Sequence, residues 1–264
     1  MYQTKYHKPA SISDAVAALG TEGAKVLSGG QTLLPTMKQH LAAPEALVDI
    51  TGIAELSGVC PGDGEVVIGA ATRHADVAGN ADLRAHIPGL AALAEGIGDP
   101  AVRAMGTLGG SIANNDPAAD YPAAVLALGA TVVTSKREIA AEDFFDGMFT
   151  TALEEDEIVT SVRFPVPKRA AYAKFRNPAS RYAMVGVFVA EMADGVRVAV
   201  TGAGEDGVFR SAELEEALSE DFSTAALDRV SLSADGMLSD IHGSAAYRAH
   251  LVTVMAKRAV EKAL

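Results

Sequence analysis

The stretch LSGGQTLLPTMKQHLAAPEALVDI, residues 27–50, decides the fold of the N-terminal part of the chain. It is entered from a β-like run at 24–27, turns at Ser28-Gly29-Gly30, resumes as a helical pattern over 31–40 and ends in the apolar run 46–50. A paired glycine between strand and helix makes a sharp turn whose backbone amides can converge on an anion, and Ser28 and Thr32 add hydroxyl donors. Upstream, Ser11 and Asp14 have capping-box spacing ahead of a helix that Gly20 would close. Residues 1–55 therefore read as a small α/β unit.

A second glycine-bearing stretch, GTLGGSIANNDPAADYPAAVLALGATV at 106–132, lies inside a different pattern. A strand at 66–70 is followed by helical stretches near 74–79, 82–86 and 89–96, then by the glycine-rich segment 106–111, a helix at 121–128 and strands at 130–134 and 158–164. Pro165 and Pro167 disfavour continued strand or helix, so 165–169 reads as a linker and 56–165 as a middle unit. Beyond it, strand-like runs at 171–176, 184–191 and 196–201 precede helices at 211–219 and 244–264. The last is amphipathic, with Tyr247, Leu251, Val254 and Met255 on one face. The expected class is α+β, with 166–264 forming an antiparallel sheet covered by helices.

Gly202-Ala203-Gly204-Glu205-Asp206-Gly207 satisfies GxGxxG, yet Glu205 and Asp206 would lie against the phosphates and no helix starts before about Ser211. It reads as a polar turn between strand and helix. Ser28-Gly29-Gly30-Gln31-Thr32 and Thr107-Leu108-Gly109-Gly110-Ser111 are better placed to hold a diphosphate between them by amide dipoles and hydroxyls. Taken singly, each reads better as a tight turn, since a paired glycine is a weak signal.

Composition removes several function classes. The formal net charge of −12 opposes any surface that must neutralise nucleic acid or anionic lipid. The apolar run AAVLALGATVV is too short to span a bilayer, and the N-terminal residues lack a signal-peptide core, so a cytoplasmic protein without a membrane span is expected. The one cysteine, Cys60, can form no disulfide within the chain, and an iron-sulfur cluster takes about four thiolates, so any such cluster has to be held by another chain. The six histidines show no HExxH or other close ligand spacing, and no metal site is expected.

The two glycine stretches closely resemble the two FAD-binding signatures of the medium, or flavoprotein, subunit of the carbon monoxide dehydrogenase and xanthine dehydrogenase (molybdenum hydroxylase) family. The resemblance continues through IGDPAVRAMGTLGG, through KFRNPASRYAMVGV at 174–187 and into DIHGSAAYRAHLVTVMAKRA, so it spans nearly the whole chain. It implies a two-subdomain, PCMH-like FAD-binding fold followed by a C-terminal domain that closes over the flavin. Carried over by motif, Ser28, Gly29, Gly30, Gln31 and Thr32 together with Thr107, Leu108, Gly109, Gly110 and Ser111 would hold the diphosphate. Asp120 would bond the polar part of the cofactor, Ile97 and Ile158 would pack near the flavin, and Lys174 and Tyr182 would reach the ring from the C-terminal domain. Asn114-Asn115 departs from the pattern, since many relatives have smaller or different residues there.

The resemblance further implies non-covalent FAD as the redox group, with the protein supplying binding, orientation and tuning of its potential rather than a side-chain nucleophile or acid-base pair. A large partner subunit would carry a molybdenum-pterin centre and a small one two 2Fe-2S clusters, in a dimer of heterotrimers. This chain would collect electrons from the clusters and pass them to a terminal acceptor. Two other readings compete: a self-contained FAD-dependent oxidoreductase of the same cofactor fold, and an assembly protein that has lost the cofactor.

Overall fold

The computed structural model describes residues 2–264, which are built around three sheets. The first is parallel and contains β1 (Lys5–His7), β2 (Ala24–Leu27) and β3 (Ala46–Asp49) in the order β1-β3-β2. β3 is buried along its whole length because it takes the middle position and receives Ala15 and Leu19 from the helix Ile12–Leu19. That helix starts where the spacing predicts: the Asp14 amide donates to Ser11 Oγ at 3.1 Å. The following helix is shorter than the expected 31–40 and covers Leu33–Lys38. Gly30 at φ +67° and His40 at φ +61° bracket it, and neither backbone conformation can continue a right-handed helix.

The second sheet is antiparallel, with β4 (Val59–Pro61), β5 (Glu65–Gly69), β6 (Thr131–Thr134), β7 (Glu138–Ala140) and β8 (Val159–Pro165) in the order β4-β5-β8-β6-β7. The long excursion between β5 and β6 supplies the helices that cover it, including Pro88–Glu95, Leu108–Asn114 and the fully buried Tyr121–Ala127. The segment expected as a linker contracts to 166–168, which lie in neither strand nor helix. β8 runs through Pro165, a position at the strand end where the missing N–H costs little, and the next strand starts at Arg169.

The third sheet comprises β9 (Arg169–Arg176), β10 (Ala183–Met192), β11 (Gly195–Gly204) and β12 (Gly207–Arg210), antiparallel in the order β12-β11-β10-β9. Both of its faces are covered. Tyr172, Phe188 and Ala190 enter the core of the middle unit, while the alternate residues Ala173, Val187 and Val189 pack under the helix Ala245–Ala263. Burial on both faces explains why β10 reads as an unbroken apolar run rather than an alternation. Of the four residues expected on the buried face of the last helix, Leu251 and Met255 are buried and Val254 partly so, but Tyr247 stays 41% exposed. The GxGxxG segment is neither a dinucleotide turn nor a strand-to-helix turn. Gly204 pairs with Gly207, so it closes the hairpin between β11 and β12.

Candidate cofactor cleft

The two glycine loops, far apart in sequence, meet at one wall of a cleft of about 950 Å³. Ser28 Oγ and Thr107 Oγ1 are hydrogen-bonded at 2.9 Å across the junction. The approach is closer than any residue with a Cβ permits: at Gly29 that atom would stand 2.3 Å from Met105 O and 2.6 Å from Gly106 Cα. Gly109 is equally confined, its added Cβ falling 2.5 Å from that of Ala70. Gly29 is therefore dictated by contact with the segment leading into the second loop, and Gly109 by its packing on Ala70.

The loops differ in what they offer. The amides of Gly29, Gly30, Gln31 and Thr32 make no hydrogen bond among the described residues, so the first loop presents a fan of unpaired donors ahead of the helix Leu33–Lys38. The second loop was expected to supply amides as well, but four of its five are already bonded within the protein. Leu108 N donates to Thr72 O, Gly109 N to Ala70 O, Gly110 N to Thr107 Oγ1 and Ser111 N to Thr107 O. Its contribution to the cleft is a surface of small residues at Gly109 and Gly110, and Ser111 beside them. Four adjacent unpaired amides are costly to leave unmet except where an anion or water satisfies them.

Of the residues expected at the site, Ser28, Gly29, Gly30, Gln31, Thr32, Ile97, Thr107, Gly109, Gly110, Ser111, Asp120, Ile158 and Tyr182 line this one cleft. Leu108 and Lys174 do not: the Leu108 side chain is fully buried in the core of the middle unit, because position 108 faces inward on its helix. Lys174 lies behind Asp120, its Nζ donating to Asp120 Oδ2 at 2.9 Å with both side chains almost wholly buried. Tyr172 Oη donates to the other carboxylate oxygen at 2.5 Å. Burial pushes the Asp120 carboxyl up, and the Lys174 ammonium and Tyr172 hydroxyl pull it back. Gly186 makes room for this arrangement, since a Cβ there would lie 2.1 Å from the Tyr172 hydroxyl. Tyr182 is 48% exposed at the mouth, on a turn where Asn177 Oδ1 accepts from the amides of Ala179 and Ser180.

Two further residues shape the cleft without having been assigned a role from the sequence. His74 forms part of the wall beside Gly106 and is 5% exposed, with Nδ1 buried and unpaired. Burial, reinforced by the Arg103 charge, lowers its pKa to about 4, so the ring is neutral through the physiological range. Asn115, within the departure noted above, has φ +42° and donates from Nδ2 to Gly147 O and Thr150 O, both at 2.7 Å. It thereby holds the loop that brings Phe149 to the cleft. Asparagine tolerates the left-handed conformation better than most residues and has the two donors this anchor uses.

Residues 2–167 match the family of FAD binding domains in molybdopterin dehydrogenases. The chain belongs to that family. It is 37% identical over 275 residues to the carbon monoxide dehydrogenase medium chain of Afipia carboxidovorans, covering 98% of this chain and 96% of the relative. It is 35% identical to the nicotine 6-hydroxylase medium subunit of Paenarthrobacter nicotinovorans, with 98% and 96% covered. The reconstituted CO dehydrogenase from Oligotropha carboxidovorans contains a chain of the same fold, with TM-score 0.92, 36% identity and 99% and 98% covered. This molybdopterin dehydrogenase FAD-binding chain is therefore a flavoprotein subunit of a multi-subunit oxidoreductase, and FAD is its cofactor. The residues present fit that group. The unpaired amides of 29–32 suit a diphosphate, and the cleft volume lies near the upper end of the roughly 300–1,000 Å³ typical of small-molecule sites.

Proposed function

We propose that this chain is the electron-transfer subunit of a molybdenum hydroxylase complex, taking electrons from 2Fe-2S clusters on a small partner subunit and passing them from FAD to a terminal acceptor. A large subunit would hold the molybdenum-pterin centre, in a cytoplasmic dimer of heterotrimers. The observation that carries the reading is the junction of the two glycine loops, where four unpaired amides face a long cleft in a chain with a single cysteine. A protein with one thiol cannot itself ligate a cluster, so an electron donor of that kind has to be a neighbour.

FAD, when bound, supplies the electron storage. The chain's own residues bind and orient it. The amides of 29–32 and the Ser111 hydroxyl would meet the diphosphate, with Gly109 and Gly110 allowing close approach. Ile97 and Ile158 offer apolar contact for the ring and Tyr182 would cover it from the mouth. Asp120, its two oxygens fixed by Tyr172 and Lys174, would present a carboxylate of set orientation to the polar part of the cofactor. His74 stays neutral and adds no positive charge to the wall. The three-unit division near residues 55 and 165 would then separate two cofactor-binding units from one that closes the cleft.

The test is to mix the FAD-loaded chain with a reduced iron-sulfur partner subunit and follow the visible flavin band in a stopped-flow instrument. Bleaching that depends on the partner supports the proposal. Reduction by an organic donor with no partner present would instead make the chain a self-contained oxidoreductase.

A further inference from the structure

A second cavity of about 350 Å³ lies between the helix Pro88–Glu95, strand β9 and the last turn of the helix Ala245–Ala263. Its charged lining is cationic: Lys174, Arg176 and Lys262 line it with Tyr172, and among the described residues no carboxylate does. That is unexpected in a chain whose formal net charge is −12. The three cations are in different states. Lys174 is neutralised by Asp120 at 2.9 Å. Lys262, exposed at the edge of the cavity, donates from Nζ to Tyr172 O at 3.1 Å and makes no ion pair among the described residues. Arg176, also exposed, makes no ion pair or hydrogen bond among the described residues, although its charge helps hold the Asp120 carboxyl down, and a Cβ on Gly96 would fall 3.2 Å from its Nη2. The floor between them is apolar, formed by Pro88, Ala92 and Ala170.

We propose that this cavity is a binding site for a small phosphomonoester, distinct from the cofactor cleft. The charge balance favours that class. Two cations without an ion-pair partner among the described residues line the cavity, and a phosphomonoester carries about −1.5 to −2 near neutral pH. A guanidinium and an ammonium lining one cavity suit a group with several acceptor oxygens, and the apolar residues Pro88, Ala92 and Ala170 offer contact for a sugar or base beside it. The volume sits at the small end of the roughly 300–1,000 Å³ ligand range, which excludes an intact dinucleotide. The site is coupled to the cleft through one buried pair: Lys174 lines the cavity, Asp120 lines the cleft, and they are bonded to each other. An anion that draws on the Lys174 ammonium weakens its hold on Asp120, so occupancy of either site alters the other.

The experiment is calorimetric titration of the FAD-loaded chain with adenosine 5′-monophosphate in phosphate-free, low-salt buffer, with adenosine as control. With the cleft occupied by FAD, the expected result is saturable binding at one site, at least tenfold weaker in the Arg176→Gln/Lys262→Gln double variant and absent for adenosine. Circular dichroism and retained flavin absorbance establish that the variant is folded and loaded. No saturable heat with the FAD-loaded wild type, equal binding by the double variant, or equal binding of adenosine would each overturn the proposal. Its failure is separable from that of the cofactor reading: retained flavin without nucleotide binding removes the second site alone. A chain that holds no flavin, yet binds the nucleotide with the same loss in the double variant, removes the cofactor reading alone.

Discussion

Replacing Gly29 with alanine probes the loop junction with the smallest possible change. The added carbon would stand 2.3 Å from Met105 O, 2.6 Å from Gly106 Cα and 2.8 Å from Met105 C, all backbone atoms that cannot rotate away. A tolerable contact begins at 3.0–3.4 Å, so the loops must part by about 1 Å. That displacement stretches the Ser28–Thr107 hydroxyl contact, now 2.9 Å, and moves the unpaired amides of 29–32 relative to Gly109 and Gly110. Forcing a methyl into a packed site costs about 1–3 kcal/mol, which corresponds to a loss of roughly 5- to 150-fold if it falls on FAD affinity. Gly30→Ala is the comparison: its contacts at 2.8–3.2 Å are with the flexible side chains of Leu34 and Leu27, and its penalty comes mainly from φ +67°. Urea denaturation and quenching of flavin fluorescence on binding separate the two effects. A Gly29→Ala chain with wild-type stability and wild-type FAD affinity would refute the claim that contact between the loops builds the site.

The buried, neutral His74 gives a pH signature. Its folded pKa of about 4 lies below the ordinary 6.5, so the unfolded chain takes up the proton first and stability falls as pH drops from 6.5 towards 4. The full difference is worth about 3 kcal/mol, and a His74→Leu chain should lose that part of the slope in urea titrations across the window; an unchanged slope would mean the ring is not shielded. Lys174→Met leaves Asp120 buried without its cation and should cost about 3–5 kcal/mol in urea unfolding, with an Asp120→Asn/Lys174→Met chain recovering part of it; a single-variant loss under about 1 kcal/mol would show the pair to be well solvated. Asn115→Ala removes both donors that hold the 147–151 loop and should expose that loop to limited proteolysis well before the rest of the chain, whereas an unchanged cleavage pattern would mean that Asn115 is not the anchor.

Local sequence rules read the first helix correctly because its cap is local: Ser11 and Asp14 are three residues apart and bonded as spaced. The same holds for the strand-glycine-helix passage at 24–38 and for the amphipathic last helix, whose Ser244 cap accepts from the Tyr247 amide. The short strands β1, β4, β7 and β12, three or four residues each, are too brief for a periodicity to register. At the site, the glycine pairs and the resemblance marked both loops, but not which amides are free. That depends on Thr72 O and Ala70 O, which tertiary folding brings to the second loop and not to the first. The Asp120 network was equally hidden, because Tyr172 and Lys174 sit more than fifty positions away and reach the carboxylate only after β9 packs on the middle unit. His74 had no motif to mark it, since its importance lies in burial beside Gly106.

The most direct test of the central claim is reconstitution of the purified chain with FAD, followed by gel filtration, a visible absorbance spectrum and acid precipitation. The account predicts one FAD per chain, carried through the column and released into the acid supernatant. A chain that emerges colourless after incubation with excess FAD, while still folded by circular dichroism, would contradict it.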